Sequence, residues 1–352
     1  MGRTQLDPVA ALLPCSTHFE IRQTAYSGRG VFASQHIPAG QHVYSTSPTP
    51  VHVLYRIFRR EVCGWCFAYD GGRTYKIATT WNGVSVQWFC SDVCRDRWDM
   101  ELGELGRESW AILEGWLKKA KIHDEEGEED QPSSGTVDAA WETAERDGSH
   151  LLAVRQAVQQ TKADRRSLSR ALNAPAHPDT ISFLLSGILA ACTNPSAFAL
   201  LRQLEGVSTP YRSTAQLHAH LASYQTLLAL LPVPLLSHVT PDILRTLSSV
   251  DAHNSFGIWS DAPGRGEMLG YGIWPDASFF NHSCHPVIAQ RVREGRTWSF
   301  VASRDAAPDE EVTISYLSAD ELRELNVEQR RQCLQRNWGF VCMCARCVEE
   351  SI

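Results

Sequence analysis

Apolar and polar positions alternate near both ends of the chain and recur with helical spacing between them. Phe19-Glu20-Ile21-Arg22 alternates, Gly28-Arg29-Gly30 interrupts, and Val31-Phe32-Ala33 resumes. Ile37-Pro38-Ala39-Gly40 then turns the chain into His42-Val43-Tyr44, which makes three short strands. Over residues 101–123, Leu102, Leu105, Trp110, Leu113, Trp116 and Leu117 recur near helical period and predict a helix. Further helices are expected at 138–146, 151–173, 180–192, 214–231 and 241–252. The last has Thr240 as N-cap and Pro241 in first position. His218 and His220 are read as helix-surface residues. Strand patterning returns at 254–259, 268–274 and 311–317, with a hairpin of 287–293 and 297–303 across Glu294-Gly295-Arg296. Helical residues at 319–336 lead into Trp338-Gly339-Phe340 and a final run of cysteines.

This order implies an α+β protein in which one β domain is interrupted by insertions. Its halves are 17–57 and 254–318, separated by a cysteine-bearing insert (58–100) and a helical insert (101–253), with a tail at 319–352. Within the helical insert, the acidic run from Asp124 to Asp130 and the Pro-Ser-Gly residues after it make 124–135 a solvated loop. The loop's charge also suits a basic substrate.

A length of 352 residues with 43% hydrophobic content supports a sizeable core, and a net charge of −7 argues against a general nucleic-acid binder. A finger touching nucleic acid through Arg56, Arg59, Arg60, Arg73 and Lys76 is the weaker alternative. Neither a membrane-spanning run nor a signal peptide is expected: the best apolar stretch, 181–192, is too short, and residues 1–14 lack an apolar segment with a cleavage site.

The eleven cysteines change the picture more. Cys63-x2-Cys66 and Cys90-x3-Cys94 supply four thiolates for a closed structural zinc site. Cys342, Cys344 and Cys347 are one ligand short of a second, with Cys284 or His285 as the fourth. Clustered cysteines with leftover thiols (Cys15, Cys192, Cys333) fit zinc in a reducing compartment better than a disulfide framework.

Four segments together are more specific. Gly28-Arg29-Gly30-Val31-Phe32-Ala33, Asn281-His282-Ser283-Cys284-His285-Pro286, Glu311-Val312-Thr313-Ile314-Ser315-Tyr316 and Cys342-x-Cys344-x2-Cys347 resemble, in this order, the motifs of SET-domain protein lysine methyltransferases. The cysteine insert and the helices behind it resemble the SET-and-MYND subfamily, in the form of its short fungal members. A full MYND finger holds two zinc ions; Cys63, Cys66, Cys90 and Cys94 resemble the ligands of one, so the finger is reduced.

The resemblance implies a SET β-fold with a pseudoknot and a tail zinc held by Cys284, Cys342, Cys344 and Cys347, for two zinc ions in all. It places S-adenosylmethionine among Gly28, Arg29, Gly30, Asn281, His282 and Phe340. Tyr316 becomes the catalytic residue at the inner end of a lysine channel walled by Phe256 and Trp338. The implied partner is a protein with an accessible lysine, in a histone tail or another basic segment. A monomer in the nucleus or cytoplasm is expected. The competing expectation is a SET-like scaffold with little catalysis, recruited through its finger.

Overall fold

The computed structural model describes residues 13–24, 27–121, 130–260 and 266–351. Most of the acidic run, the first twelve residues and the turn at 263–265 therefore lie outside the described residues. β1 (Phe19–Gln23) and β2 (Arg29–Ala33) pair antiparallel, with Phe19 opposite Ala33. Period-two alternation turns Phe19, Val31 and Ala33 into the core and leaves Glu20 exposed.

Strands from the two ends of the chain then pair with each other. β3 (His42–Ser45) lies beside β10 (Thr297–Val301), whose other neighbour is β9 (Gln290–Glu294). β4 (Val51–Leu54) lies beside β8 (Met268–Ile273), whose other neighbour is β7 (Ser255–Trp259). All that separates β4 from β7 in sequence is thus an insertion between strands of one sheet.

The insertion opens with a cysteine-bearing turn and the hairpin β5 (Ile77–Trp81) and β6 (Val84–Phe89). Asn82 and Gly83 connect the pair at positive φ (47° and 78°), the backbone that a tight hairpin needs. α1 (Asp92–Leu117) begins nine residues before the predicted helix, capped by Ser91, and is kinked at Gly103 (φ 63°, ψ −166°). Its first turns carry mostly charged residues around Cys94 and Trp98, so no apolar stripe marks them.

α2 (Ser134–Gln156), α3 (Lys162–Leu172), α4 (Pro178–Thr193), α5 (Pro195–Leu201), α6 (Thr214–Leu230) and α7 (Pro241–Asn254) follow. α4 is buried on most sides and packs against α5, α6, α7 and β4, which makes it the hub of the insert. The predicted break near Gly148 is absent, and α2 runs through it. The glycine is there because a Cβ would fall 2.2 Å from the Tyr224 hydroxyl on α6, so it serves helix packing rather than termination. The break comes at 157–161 instead, where Thr161 starts α3 with a capping box. His218 is exposed as expected, but His220 is buried against the Tyr211 ring, 5.1 Å away, with Nδ1 2.9 Å from the Gln216 carbonyl. The tail forms α8 (Ala319–Glu324), α9 (Val327–Trp338) and α10 (Ala345–Glu349). Among the described residues, no helix is long and apolar enough to cross a membrane.

Candidate active site

The predicted strand at 311–317 is an extended run held by isolated bridges rather than a regular strand. On one edge it meets β2: Val312 N donates to Val31 O (2.8 Å) and Ala33 N to Glu310 O (2.9 Å). On the other it meets the Asn281 loop: Ile314 N donates to Asn281 O, and Ser283 N to Ile314 O (both 2.9 Å). Each neighbour takes only a few residues, so no ladder forms, yet three distant segments are fastened at one crossing.

Side chains lock this crossing. Asn281 Nδ2 donates to Arg29 O (3.1 Å) and to Glu311 Oε1 (2.8 Å). His282 Nδ1 accepts the Tyr316 backbone N–H (3.0 Å), so in the neutral ring the proton sits on Nε2, 3.3 Å from the Cys284 sulfur. Burial holds His282 in that neutral form, lowering its pKa to about 4. The Tyr316 hydroxyl donates to the Phe280 carbonyl (3.2 Å), and its ring lies 5.4 Å from His282, 5.5 Å from Trp338 and 6.1 Å from Phe340. Burial pushes the Tyr316 phenol up to about 12, so it stays protonated and acts as a donor.

Both cysteine groups close. The sulfurs of Cys63, Cys66, Cys90 and Cys94 lie within 4.8 Å of one another, as do those of Cys284, Cys342, Cys344 and Cys347. Neighbouring sulfurs are 3.6 Å apart in the first group and 3.5–4.0 Å in the second. These gaps exceed a disulfide bond of about 2.05 Å. They match the roughly 3.8 Å edge of a tetrahedron of thiolates at about 2.3 Å from zinc. Cys284 is the fourth member of the tail group, and His285 is exposed.

The tail group sits beside a cavity of about 920 Å³. Gly28, Arg29, Asn281, His282, Tyr316, Trp338 and Phe340 line it, as does the tail from Val341 to Ala345. α9 ends at Gly339 in the left-handed conformation (φ 75°), which swings Phe340 into the wall. Carboxylates of Glu205, Glu310 and Glu311 also line it, beside the aromatic faces of Phe32 and Phe279. Arg29 and Arg304 line it as well, and the guanidinium groups of Arg22 and Arg29 lie 5.2 and 5.1 Å from the Phe32 and Phe279 ring centres, so the wall combines aromatic rings with charges of both signs.

Known proteins match this arrangement. The SET-domain family profile covers residues 28–317. The chain belongs to the SET-domain family. It is a family of protein-lysine methyltransferases, and the fold is its SET β-fold with pseudoknot. "Potential protein lysine methyltransferase SET6" of Saccharomyces cerevisiae is 28% identical over 371 aligned positions, covering 95% of this chain and 96% of that protein. "Histone-lysine N-methyltransferase ASHR2" of Arabidopsis thaliana is 30% identical, over 48% of this chain and 44% of that one. A SET and MYND domain-containing protein of Dictyostelium discoideum is 31% identical over 31% of this chain and 25% of its own length.

Two predicted site residues of the SET domain lie off this cavity. Gly30 does not line the cavity. A Cβ on it would lie 2.5 Å from Glu311 Oε1 and 2.8 Å from Asn281 Nδ2, so its bare Cα makes room for the side chains that lock the crossing. Gly30→Ala is therefore expected to destabilise the fold by about 1–3 kcal/mol and to weaken any ligand of the cavity; urea melts and binding titrations read both. Phe256 does not line the cavity either; its ring packs near Trp274 (6.0 Å) and Trp298 (6.1 Å). The sequence reading missed the contribution of the helical insert. Arg29 donates to the Gln203 carbonyl and stacks on Phe279 (5.1 Å), while Gln203, Leu204, Glu205 and His253 complete one wall. No local pattern marks those residues, because only tertiary packing brings them to the site.

Proposed function

We propose that the protein uses S-adenosylmethionine to methylate the ε-amine of lysine in a protein substrate. The observation that carries this reading is the half-buried Tyr316 phenol, fixed between the Asn281 loop and the cysteine-bearing tail on the wall of a cavity lined by aromatic and acidic residues. S-adenosylmethionine, when bound, supplies a methyl group on a positively charged sulfur. Gly28, Arg29, Asn281, His282 and Phe340 would hold it, Phe340 by stacking and the carboxylates by their charge. Zinc would fill both thiolate groups, and the tail ion would fix the Phe340 wall.

The chain's own contribution is alignment and dehydration. A lysine amine needs a lone pair, and an apolar channel lowers its pKa from about 10.4 by penalising the ammonium. With its own proton given to the Phe280 carbonyl, the Tyr316 hydroxyl oxygen and that carbonyl both offer acceptors to the N–H groups of the amine, leaving its lone pair free to attack. Tyr316 is no general base, since its phenol stays protonated far above neutrality.

The single reduced finger and the helices behind it support placement near the SET-and-MYND subfamily. Along the cavity wall Glu205, Glu310 and Glu311 outnumber Arg29 and Arg304, with Glu310 paired to Arg304, a balance that favours a basic peptide such as a histone tail or a similar segment of another protein. Reduced thiols fit the nucleus or cytoplasm. Incubation with S-adenosylmethionine labelled in its methyl group and fractionated cell protein tests the reading. Transfer should rise from about pH 7 to about pH 9 as the amine loses its proton, with no decline from Tyr316 in that range. No label on any protein fraction, or a rate that falls over that range in folded protein, contradicts it.

A further inference from the structure

Zinc with four thiolates carries a net charge of minus two, and the tail group is largely buried: Cys284, Cys342 and Cys347 are at most 3% exposed. Such a charge needs a nearby cation or donor to offset its desolvation. Arg330, on α9, is 1% exposed and is among the largest fully buried side chains. Its Nη2 points at the Cys347 sulfur (3.7 Å) and also donates to Glu350 Oε2 (2.5 Å), while Nη1 donates to the Leu325 carbonyl (2.8 Å). Its Nε, also buried, has no hydrogen-bond partner among the described residues.

The neighbouring arginines behave differently. Arg331 donates to the backbone carbonyls of Cys342 (3.0 Å) and Cys347 (3.3 Å), and Arg346 donates to that of Cys284 (3.3 Å). They shape the loop that presents the ligands, whereas Arg330 brings its charge to a sulfur. At the first cysteine group, the side chains recorded against the sulfurs are other cysteines and the Ser91 hydroxyl. Among the described residues, one thiolate group therefore has a buried guanidinium against a sulfur and the other has only cysteines and a hydroxyl.

We propose that Arg330 is the counter-cation of the tail zinc centre and a positioning residue for the active site. It couples metal retention to α9, the helix that carries Trp338 to the cavity wall. The proposal rests on the zinc reading of the tail. It also assigns Glu350 a lesser part: its carboxylate shares the guanidinium and draws charge away from the sulfur.

The test uses the full chain loaded with zinc, a colorimetric chelator to follow release, and cadmium-113 substitution to give each centre its own resonance. Arg330→Gln should speed metal loss from one centre by about 10- to 100-fold, leave the other unchanged and move only the tail cadmium signal. Arg330→Lys should recover part of the retention, because the charge returns without the fork. Glu350→Gln should hold zinc as well as the wild type or better. Unchanged release from folded Arg330→Gln, equal loosening of both centres, or Glu350→Gln behaving like Arg330→Gln overturns the proposal. Should Arg330→Gln fail to fold, Glu350→Gln still decides it, because a plain Arg330–Glu350 ion-pair role predicts faster metal loss there and the counter-cation role does not. A wild-type chain that purifies with no metal on its tail cysteines overturns the zinc reading itself, which sets that failure apart from the others.

Discussion

Tyr316→Phe should bind S-adenosylmethionine within about twofold of the wild type and transfer methyl groups about 100-fold or more slowly. The ring remains packed among His282, Trp338 and Phe340, so the cavity keeps its shape. What disappears is the one hydroxyl aimed at the Phe280 carbonyl, and with it an acceptor for the N–H of an incoming amine. The exposed effect is on alignment, where a small loss of precision costs orders of magnitude. The Phe280 carbonyl loses its recorded side-chain donor, so stability should fall by about 1–3 kcal/mol at most. Separate measurement of kcat and of donor affinity distinguishes the two effects. Wild-type turnover by the variant removes Tyr316 from the mechanism.

Cys344→Ser carries the second large effect. The Cys344 sulfur accepts the Cys284 backbone N–H (3.4 Å) and completes the tail group, and Cys344 itself lines the cavity. Loss of one thiolate opens the tetrahedron, so metal analysis is expected to give one zinc ion per chain for the variant against two for the wild type. Phe340 and the residues to Ala345 then lose the anchor that keeps them on the cavity wall, and S-adenosylmethionine should bind about tenfold or more weakly. The helical insert folds around α4, which packs on α5, α6, α7 and β4, so circular dichroism should retain its helical signal. Metal analysis paired with a binding titration checks both parts. Unchanged affinity after verified loss of the tail metal contradicts the account.

Much of this site was legible in the sequence, because its chemistry sits in residue types with few other uses. The cysteine spacings announced two thiolate centres, and both close. The choice between Cys284 and His285 was not settled by spacing; folding decided it by burying one and exposing the other. Alternation revealed the strands that form ladders, but the segment at 311–317 alternates as a strand does and still forms only bridges, since its partners come from both sides in short stretches. Gly148 reads as a helix break until Tyr224 occupies the space its missing side chain leaves. Gly30 reads as a place for a ligand, and instead admits Asn281 and Glu311. Phe256 carries the motif yet packs on tryptophans, and Arg330 carries no motif yet reaches the Cys347 sulfur of the tail group. Such facts depend on which surfaces meet, and no single-chain pattern encodes them.

The central claim is that this cleft delivers a methyl group to lysine nitrogen under the control of Tyr316. Tandem mass spectrometry of protein substrates incubated with the purified chain and methyl-labelled S-adenosylmethionine tests it most directly. The account predicts label on lysine side-chain nitrogen with the wild type and almost none with Tyr316→Phe. Label on a different side chain, or equal lysine labelling by the two proteins, would contradict it.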